Sequence, residues 1–216
     1  MKIESKEYCN IIILGYKLPK LEEKCIKSII RNTKQPYLLT FIDNHSTGKS
    51  LTEMWNMLVL TTPKWCKYIC LLNNDTEVSP LWLSKMVDTL EKDPMYGFCG
   101  PSTNSCHSPQ KNIPTYEQAQ EHKDEYEIMK DPISGFCLVF KKKIWLTLNA
   151  FDERFKFYGS ESNFIDLAQQ QGYKCVWQKD SFVYHVGEAS VKSSKMNVQE
   201  EREKAKKLYW GDRKKK

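Results

Sequence analysis

The sequence lacks a long apolar segment, a secretory signal and an internal repeat. No apolar run approaches the about 18 residues that a membrane-spanning helix requires, which argues against an integral membrane protein. Residues 1–7 are highly charged, unlike the start of a signal peptide. With 40% hydrophobic and 28% charged residues, the composition is typical of a globular domain. We therefore expect a soluble, cytoplasmic protein.

The eight cysteines form no recognisable metal or redox motif. Cys66 and Cys70 are four residues apart, whereas zinc and redox motifs have the Cys-x-x-Cys spacing. Six cysteines lie in apolar, strand-like or helical contexts: Cys9, Cys25, Cys70, Cys99, Cys137 and Cys175. In a reducing compartment such residues behave as small buried hydrophobic side chains. The sequence thus argues against both a structural zinc site and disulfides.

The net charge of +6 is spread unevenly, because the chain ends in the basic run Arg213, Lys214, Lys215 and Lys216. One interpretation of this tail is a solvated terminus. The other is a contact for phosphates or for an anionic surface.

Apolar runs at residues 10–14, 37–42 and 68–72 predict buried strands, and the amphipathic stretches between them predict helices. This alternation favours a parallel sheet covered by helices. Beyond it, the pattern predicts a helix at 160–171 with Ser160 as N-cap. We also predict helices at 81–90, 141–148 and 198–210, and strands at 97–101, 134–140, 175–177 and 182–185. Residues 102–131 are polar and weakly periodic, and we interpret them as a mobile surface loop in which 116–129 could be helical.

Two of the predicted strands end in acidic and amide residues. The strand at 68–72 runs into Asn73, Asn74 and Asp75, and the strand at 37–42 runs into Asp43 and Asn44. The carboxyl ends of parallel strands meet at one edge of the sheet, where ligands bind. A carboxylate at that edge can ligate a divalent cation, which in turn can hold a phosphate. The same residue types are common in turns, so a nucleotide site and simple turn chemistry both remain open.

Several segments together resemble family 2 glycosyltransferases, the inverting nucleotide-sugar enzymes with the GT-A fold. The matching segments, in chain order, are 11–16 (IIILGY), 41–47 (FIDNHST), 71–78 (LLNNDTEV), 100–101 (GP), 134–138 (SGFCL), 151–161 (FDERFKFYGSE) and 183–187 (VYHVG). The third is similar to the metal-binding Asp-x-Asp motif of the family, and the sixth to the segment that carries its catalytic base. The resemblance covers nearly everything from residue 10 to residue 210.

The resemblance implies an α/β domain with the GT-A fold, in which helices flank a mixed, mainly parallel sheet. We place this domain at residues 1–197, followed by a charged helix and basic tail at 198–216. It implies that a uridine diphosphate sugar is bound by residues at the strand ends, namely Gly15, Tyr16, Asp43, Asn44, Asn73 and Asn74. It further implies that Asp75 is the direct ligand of a divalent metal, Mn²⁺ or Mg²⁺, and that Glu161 is the catalytic base. His185 would complete the metal site or contact the diphosphate.

Two positions depart from the family pattern. Asn73 stands where many members carry an acid, and Ser160-Glu161 replaces the usual Glu-Asp pair. These departures leave open a second interpretation, in which the chain is a non-catalytic module that binds a nucleotide sugar.

Each candidate residue also has a purely structural interpretation. Glu161 lies in the first turn of a predicted helix, where an acid complements the helix dipole and is kept ionised by it. His185 could be a core histidine at the end of a strand, and Asp43 could be a turn former.

The function that we predict is the transfer of a hexose from uridine diphosphate to an acceptor hydroxyl by metal-assisted single displacement. A glycan, a lipid-linked sugar or a protein is the expected acceptor. A modified base in DNA is the alternative, because the basic tail and the lysines at 141–143 could approach nucleic acid. The sequence predicts neither the sugar nor the oligomeric state.

Overall fold

The computed structural model describes residues 8–187 and 197–213, which form an eight-stranded mixed sheet with helices packed against it. The strands are β1 (Tyr8–Gly15), β2 (Tyr37–Asp43), β3 (Cys66–Asn73), β4 (Thr76–Val78), β5 (Tyr96–Ser102), β6 (Tyr126–Met129), β7 (Cys137–Lys141) and β8 (Lys174–His185). The α-helices are α1 (Pro19–Asn32), α2 (Leu51–Thr61), α3 (Trp82–Glu91), α4 (Tyr116–Glu121), α5 (Lys142–Thr147), α6 (Ser160–Gln170) and α7 (Val198–Arg213). The expectations for residues 1–7 and for the end of the basic tail, 214–216, concern residues outside those described.

The strand order is β2-β1-β3-β7-β5-β8-β4, and β6 pairs with β8. β1 runs parallel to β2 and β3, and β5 runs parallel to β8. The pairs β3–β7, β5–β7, β4–β8 and β6–β8 are antiparallel. Helices α1 and α2 return the chain so that the first three strands are parallel, as a strand–helix–strand crossover requires. The predicted α/β fold, with a mixed and partly parallel sheet flanked by helices, is therefore confirmed, and its parallel pairs are β1–β2, β1–β3 and β5–β8.

β1 shows that the sheet is covered on both faces. Ile11 and Ile13 pack in one apolar cluster with Ile29 of α1, whereas Ile12 packs in a second cluster with Val59 of α2. Successive side chains of a strand point to opposite faces, so a strand buried on both sides needs an unbroken apolar run. The apolar run at residues 10–14 therefore predicts a strand that is buried on both faces of the sheet.

Residues 102–131 are not the loop that the sequence predicts. They contain a 3₁₀ helix at Pro109–Asn112, the short helix α4 and the strand β6. α4 lies within the stretch 116–129 that could be helical, whereas β6 occupies the end of the same stretch and pairs antiparallel with β8. Its residues do not alternate in burial, since the first three are exposed and only Met129 is buried. Residues 126–129 form a strand because they pair with β8, and a local sequence pattern does not indicate such a long-range pairing.

The strands predicted at 175–177 and 182–185 are one continuous strand, β8. Its pairing with β5 shifts register between Pro101 and Ser102, which accommodates the polar residues that interrupt the apolar pattern. The predicted cap of α6 is also wrong. Gly159 is the N-cap, with φ of 80°, and the Ser160 hydroxyl is buried without a hydrogen-bond partner. Glycine adopts this left-handed conformation at little steric cost.

All eight cysteines are free thiols, and the six predicted to be buried are inaccessible to solvent. Burial raises the pKa of the Cys25 thiol to about 11, so this thiol is neutral at physiological pH. Within residues 8–187 and 197–213, we find no helix with the length and apolar character needed to cross a bilayer.

Candidate functional site

The carboxyl ends of the three parallel strands meet at one edge of the sheet. Gly15 at the end of β1 lies opposite Asp43 of β2, and Leu14 lies opposite Asn73 of β3. Adjacent strands are about 4.8 Å apart, so the ends of β2 and β3 are separated by about 10 Å. Asp43 and the Asn73–Asp75 segment therefore share the edge on which the sequence predicts a ligand site.

Asp75 and His185 form a buried pair beside this edge. Nε2 of His185 lies 3.3 Å from Oδ1 of Asp75, and the two residues are 9% and 4% exposed. β4 and β8 bring them together, because Thr76 pairs with His185. The amide nitrogen of Asn73 lies 3.4 Å from the same Nε2. These residues, more than 100 positions apart in sequence, therefore form one polar cluster.

The loop before the Pro109–Asn112 helix fixes the orientation of His185. Nδ1 donates to the backbone carbonyl of Ser105 at 2.9 Å, since a carbonyl can only accept. The Asn104 side chain accepts from the His185 backbone N–H at 2.8 Å and donates to its carbonyl at 3.0 Å. The Phe136 ring stacks on the imidazole, with ring centroids 5.0 Å apart. Asn104 and Ser105 cannot be predicted as supports of His185 from the sequence, because both lie in the polar, weakly periodic segment 102–131.

His185 has a raised pKa in this setting. Burial lowers the pKa of the imidazole, but the hydrogen bond and negative charge of Asp75, with the carbonyl of Ser105, outweigh burial. When the imidazole is protonated, the proton on Nε2 faces Asp75 Oδ1. A metal ion at this position would replace that proton.

Glu161 reaches the same edge from α6. Its side chain lies against Gly135, where an added Cβ atom would be 2.7 Å from Oε1. Gly135 immediately precedes Phe136, whose carbonyl accepts from the backbone N–H of Asn73 at 2.8 Å. The loop before β7 therefore connects Glu161 to the end of β3.

Burial raises the pKa of the Glu161 carboxyl and outweighs the hydrogen bond from its own backbone N–H, which lowers it. The net direction is opposite to the helix-dipole effect expected from the sequence. A carboxylate with a raised pKa is a stronger proton acceptor, which suits a general base.

Glu22 of α1 organises the other side of the edge and was also missed. Its Oε1 accepts from the backbone N–H of Tyr16 at 2.8 Å and from the side-chain amide of Asn74 at 2.9 Å. A Cβ at Gly15 would lie 2.6 Å from the Phe41 ring and 3.1 Å from this oxygen. The only signal in the sequence was an acid in the first turn of a helix that begins with proline.

Asp43 is exposed and accepts from the backbone N–H of His45 at 3.1 Å, which caps the 3₁₀ helix Asn44–Ser46. The side-chain amide of Asn44 donates to the carbonyl of Lys49 at 3.3 Å. The ring of Tyr16 meets His45 edge to face at 5.4 Å. Asp43 thus acts as a turn former, which was one of its two interpretations from the sequence. Its side chain is also exposed to solvent at the edge of the sheet.

The residues present fit a divalent cation that is shared with a phosphate ligand. No group of three or more His, Cys, Asp or Glu side chains that could hold a metal occurs among residues 8–187 and 197–213. Asp75 and His185 nevertheless provide two possible metal ligands. The hydrogen bond from Nδ1 of His185 to the Ser105 carbonyl is of the kind that usually orients a metal-bound histidine. Mg²⁺ and similar ions commonly take one or two protein ligands and complete their shell with water and substrate phosphates.

The same fold occurs in solved structures of glycosyltransferases. GalNAc-T7 with UDP, GalNAc and Mn²⁺ is similar with a TM-score of 0.64 and 12% identity, over 84% of this chain and 44% of that one. The mannosyltransferase PcManGT from Pyrobaculum calidifontis, in complex with GDP-Man and Mn²⁺, is similar with a TM-score of 0.64 and 13% identity, over 96% and 64%. TarS 1–349 from S. aureus has a TM-score of 0.57 and 9% identity, over 92% and 69%.

No family model and no curated protein sequence matches the chain. At these low identities, the structural likeness establishes the fold alone, and that fold is GT-A. The chain spans 44% and 64% of the first two structures, so it corresponds to part of each of those proteins.

Proposed function

We propose that this chain is an inverting glycosyltransferase that moves a hexose from uridine diphosphate to an acceptor hydroxyl. The observation that carries the proposal is the buried Asp75–His185 pair, 3.3 Å apart, at the edge that also presents Asp43 and Glu161. In a GT-A fold, these are the positions at which the sequence resembles the metal-binding and base-carrying motifs of family 2 enzymes.

The donor would lie along the ends of β1, β2 and β3. Asp43 would accept hydrogen bonds from the uracil ring, and Tyr16 would lie beside it. Asn74 is held by Glu22, so it would contribute mainly to the shape of the loop that receives the nucleotide. The proposal of a nucleotide-sugar donor is supported by the UDP and GDP-Man present in structures of the same fold.

Asp75 and His185 would hold the divalent metal, with Asn73 beside them. When bound, this ion would neutralise the charge that develops on the departing diphosphate. Ser105 and Asn104 would keep the imidazole of His185 aimed at Asp75 before the donor arrives. This preorganisation supports catalysis because no reorientation is needed during the reaction.

Glu161 would accept the proton of the acceptor hydroxyl as that oxygen attacks the anomeric carbon. A single base, placed on the face opposite the leaving diphosphate, implies direct displacement and inversion of configuration. Its raised pKa supports this role, and its contact with Gly135 would hold the carboxylate in one place.

The lysines at 141–143 give no support to a DNA acceptor at this site. Lys141 ends β7, and it pairs with Tyr68 near the start of β3, at the edge of the sheet remote from Asp75. A glycan, a lipid-linked sugar or a protein therefore stays our proposed acceptor class.

Thermal unfolding in the presence of nucleotides tests the donor part of this proposal. We expect UDP with Mn²⁺ to raise the melting temperature more than UDP or Mn²⁺ alone, because a ligand that binds only the folded state stabilises it. The absence of any shift with UDP, GDP or another nucleoside diphosphate would contradict it. Binding without transfer to any acceptor, and equally in wild type and Glu161→Gln, would instead support a non-catalytic module.

A further inference from the structure

The structure contains a lysine-lined cavity at the edge of the sheet opposite the candidate active site. It has a volume of about 480 Å³ and lies between the start of β3, the end of β7 and α5. β3 runs from Cys66, in this cavity, to Asn73, in the candidate site. At about 3.3 Å per residue, the two sites are about 23 Å apart. A ligand in one cannot contact a ligand in the other.

Positive charge dominates this cavity. Five of its ten lining residues are lysines, namely Lys64, Lys67, Lys141, Lys142 and Lys143, and the single acid is Glu91. The Glu91 carboxylate already accepts a hydrogen bond from the hydroxyl of Tyr68. The cavity is therefore strongly cationic, although it lies far from the proposed diphosphate site.

Lys141 is 8% exposed, and its ammonium group has only neutral partners. It donates to the backbone carbonyls of Asp93 at 3.0 Å and Pro94 at 3.3 Å. Within the described part of the chain, no carboxylate lies at ion-pair distance from it, although Glu91 and Asp93 act on it from further away. Burial lowers the pKa of Lys141, and the charge of Lys143 lowers it further. A buried ammonium group without a counter-ion is costly, and an anion in the cavity would relieve that cost.

Lys142 is fixed in a similar way from the other side. Its ammonium group donates to the carbonyls of Thr62 and Pro63, just after the end of α2, and burial lowers its pKa. The carbonyls after α3 hold Lys141, and those after α2 hold Lys142. Two cationic groups are thus held in place before any ligand binds, whereas lysines on an open surface would be mobile.

We propose that this cavity binds a phosphomonoester. Lysine ammonium groups bind phosphate as point charges, and several of them together match a dianion. The volume exceeds that of inorganic phosphate and suits a phosphate attached to an organic group. Tyr68, Pro94 and Leu146 provide an apolar wall for that group. The phosphate could belong to a soluble metabolite or to a lipid headgroup, and the chemistry that recognises it is the same.

Calorimetric titration with glycerol 3-phosphate tests the soluble source. The titration is made with UDP and Mg²⁺ already saturating, so that the candidate active site cannot account for the heat. Sedimentation with phosphatidylcholine vesicles, with and without phosphatidic acid, tests the headgroup source. We expect saturable binding in at least one of these two measurements, and the measurement that detects it identifies the source.

The double variant Lys64→Glu/Lys143→Glu changes two exposed side chains of the cavity and is expected to fold. It should weaken binding by at least about tenfold, because each reversal replaces attraction by repulsion. Lys123→Glu/Lys130→Glu reverses two exposed lysines outside the cavity, is therefore the matched control, and should bind as wild type does. UDP binding should be the same in all three proteins, which separates this proposal from the proposed function.

Three results would overturn the proposal. The first is no binding of either phosphomonoester probe. The second is binding that the double variant leaves unchanged. The third is salt-sensitive binding of a DNA oligonucleotide without binding of either probe, which would identify the cavity as part of a nucleic-acid surface.

Discussion

The Glu161 carboxylate occupies the space that a side chain at Gly135 would need, because a Cβ atom at position 135 would lie 2.7 Å from Oε1 of Glu161. The two residues come from different elements, the loop before β7 and the first turn of α6. Glycine at 135 thus allows the carboxylate to approach the backbone that continues to the end of β3. The position of the proposed base depends on a residue that has no side chain.

Gly135→Ala should remove activity while leaving the fold and the donor site intact. The added methyl group must displace the Glu161 carboxylate, and a misplaced general base loses about 10²-fold or more in rate. We expect kcat for sugar transfer to fall by that amount, with UDP affinity changed by less than about twofold.

Gly211→Ala is the matched control, because a Cβ there would meet nothing within 4 Å. This variant should keep wild-type activity. Equal activity of Gly135→Ala and wild type would show that Glu161 does not need its observed position, and would count against its role.

Glu161→Gln should stabilise the protein at neutral pH. The pKa of Glu161 is raised in the folded state, so its ionisation costs folding free energy as the pH rises through that pKa. The variant has no such cost, so its melting temperature should exceed that of wild type at neutral and alkaline pH. Each kcal/mol corresponds to about 2–4 °C in a domain of this size.

The difference in melting temperature between Glu161→Gln and wild type should shrink as the pH falls. It should disappear below the ordinary glutamate pKa of 4.5, where Glu161 is protonated in both the folded and the unfolded state. Glu121→Gln makes the same substitution at an exposed glutamate and serves as the control. A melting temperature of Glu161→Gln below that of wild type at neutral pH would indicate that the ionised carboxylate has a stabilising partner instead.

Glu22→Ala should weaken donor binding more than it slows transfer. The variant loses the acceptor that holds the Tyr16 backbone and the Asn74 side chain, and hydrogen bonds to a charged group contribute about 1.5–3 kcal/mol. We expect the Kd for UDP, measured by calorimetry, to rise by at least about tenfold. Glu23→Ala, at the next and exposed position, should bind UDP normally. Matching affinities in the two variants would contradict the role of Glu22 in shaping the loop.

Asp75→Asn should abolish the contribution of the metal to UDP binding. The amide keeps the shape of the side chain but loses the charge that a hard cation requires. UDP affinity should therefore become the same with and without Mn²⁺, while wild type binds UDP at least about tenfold more tightly with the metal. Glu77→Gln, two residues further along β4, is exposed and should respond to Mn²⁺ as wild type does. A retained metal effect in Asp75→Asn would exclude this carboxylate as the ligand.

The sheet edge could be predicted from sequence because its signals are local. The apolar runs of β1, β2 and β3 end at polar residues, and parallel strands place such ends together. The sequence therefore predicts that Asp43 and the segment 73–75 share one edge, and the observed register of Asp43 and Asn73 agrees.

The supports of the site could not be predicted, since each is a contact between distant segments. The bond from His185 to the Ser105 carbonyl spans 80 positions, and the bond from Asn74 to Glu22 spans 52. Every residue has a backbone carbonyl, so the sequence of side chains does not indicate which carbonyl accepts a given hydrogen bond. The strand β6 was missed for the same reason, because only its pairing with β8 stabilises it as a strand.

The rate of sugar transfer by Glu161→Gln, compared with wild type at saturating UDP-hexose and Mn²⁺, decides whether this carboxylate is the catalytic base. A panel of nucleotide sugars and acceptors first identifies a pair that wild type uses. A catalytic role of Glu161 predicts that the variant binds UDP and Mn²⁺ as wild type does and transfers sugar at least about 10²-fold more slowly. Transfer at the wild-type rate by the variant would contradict it.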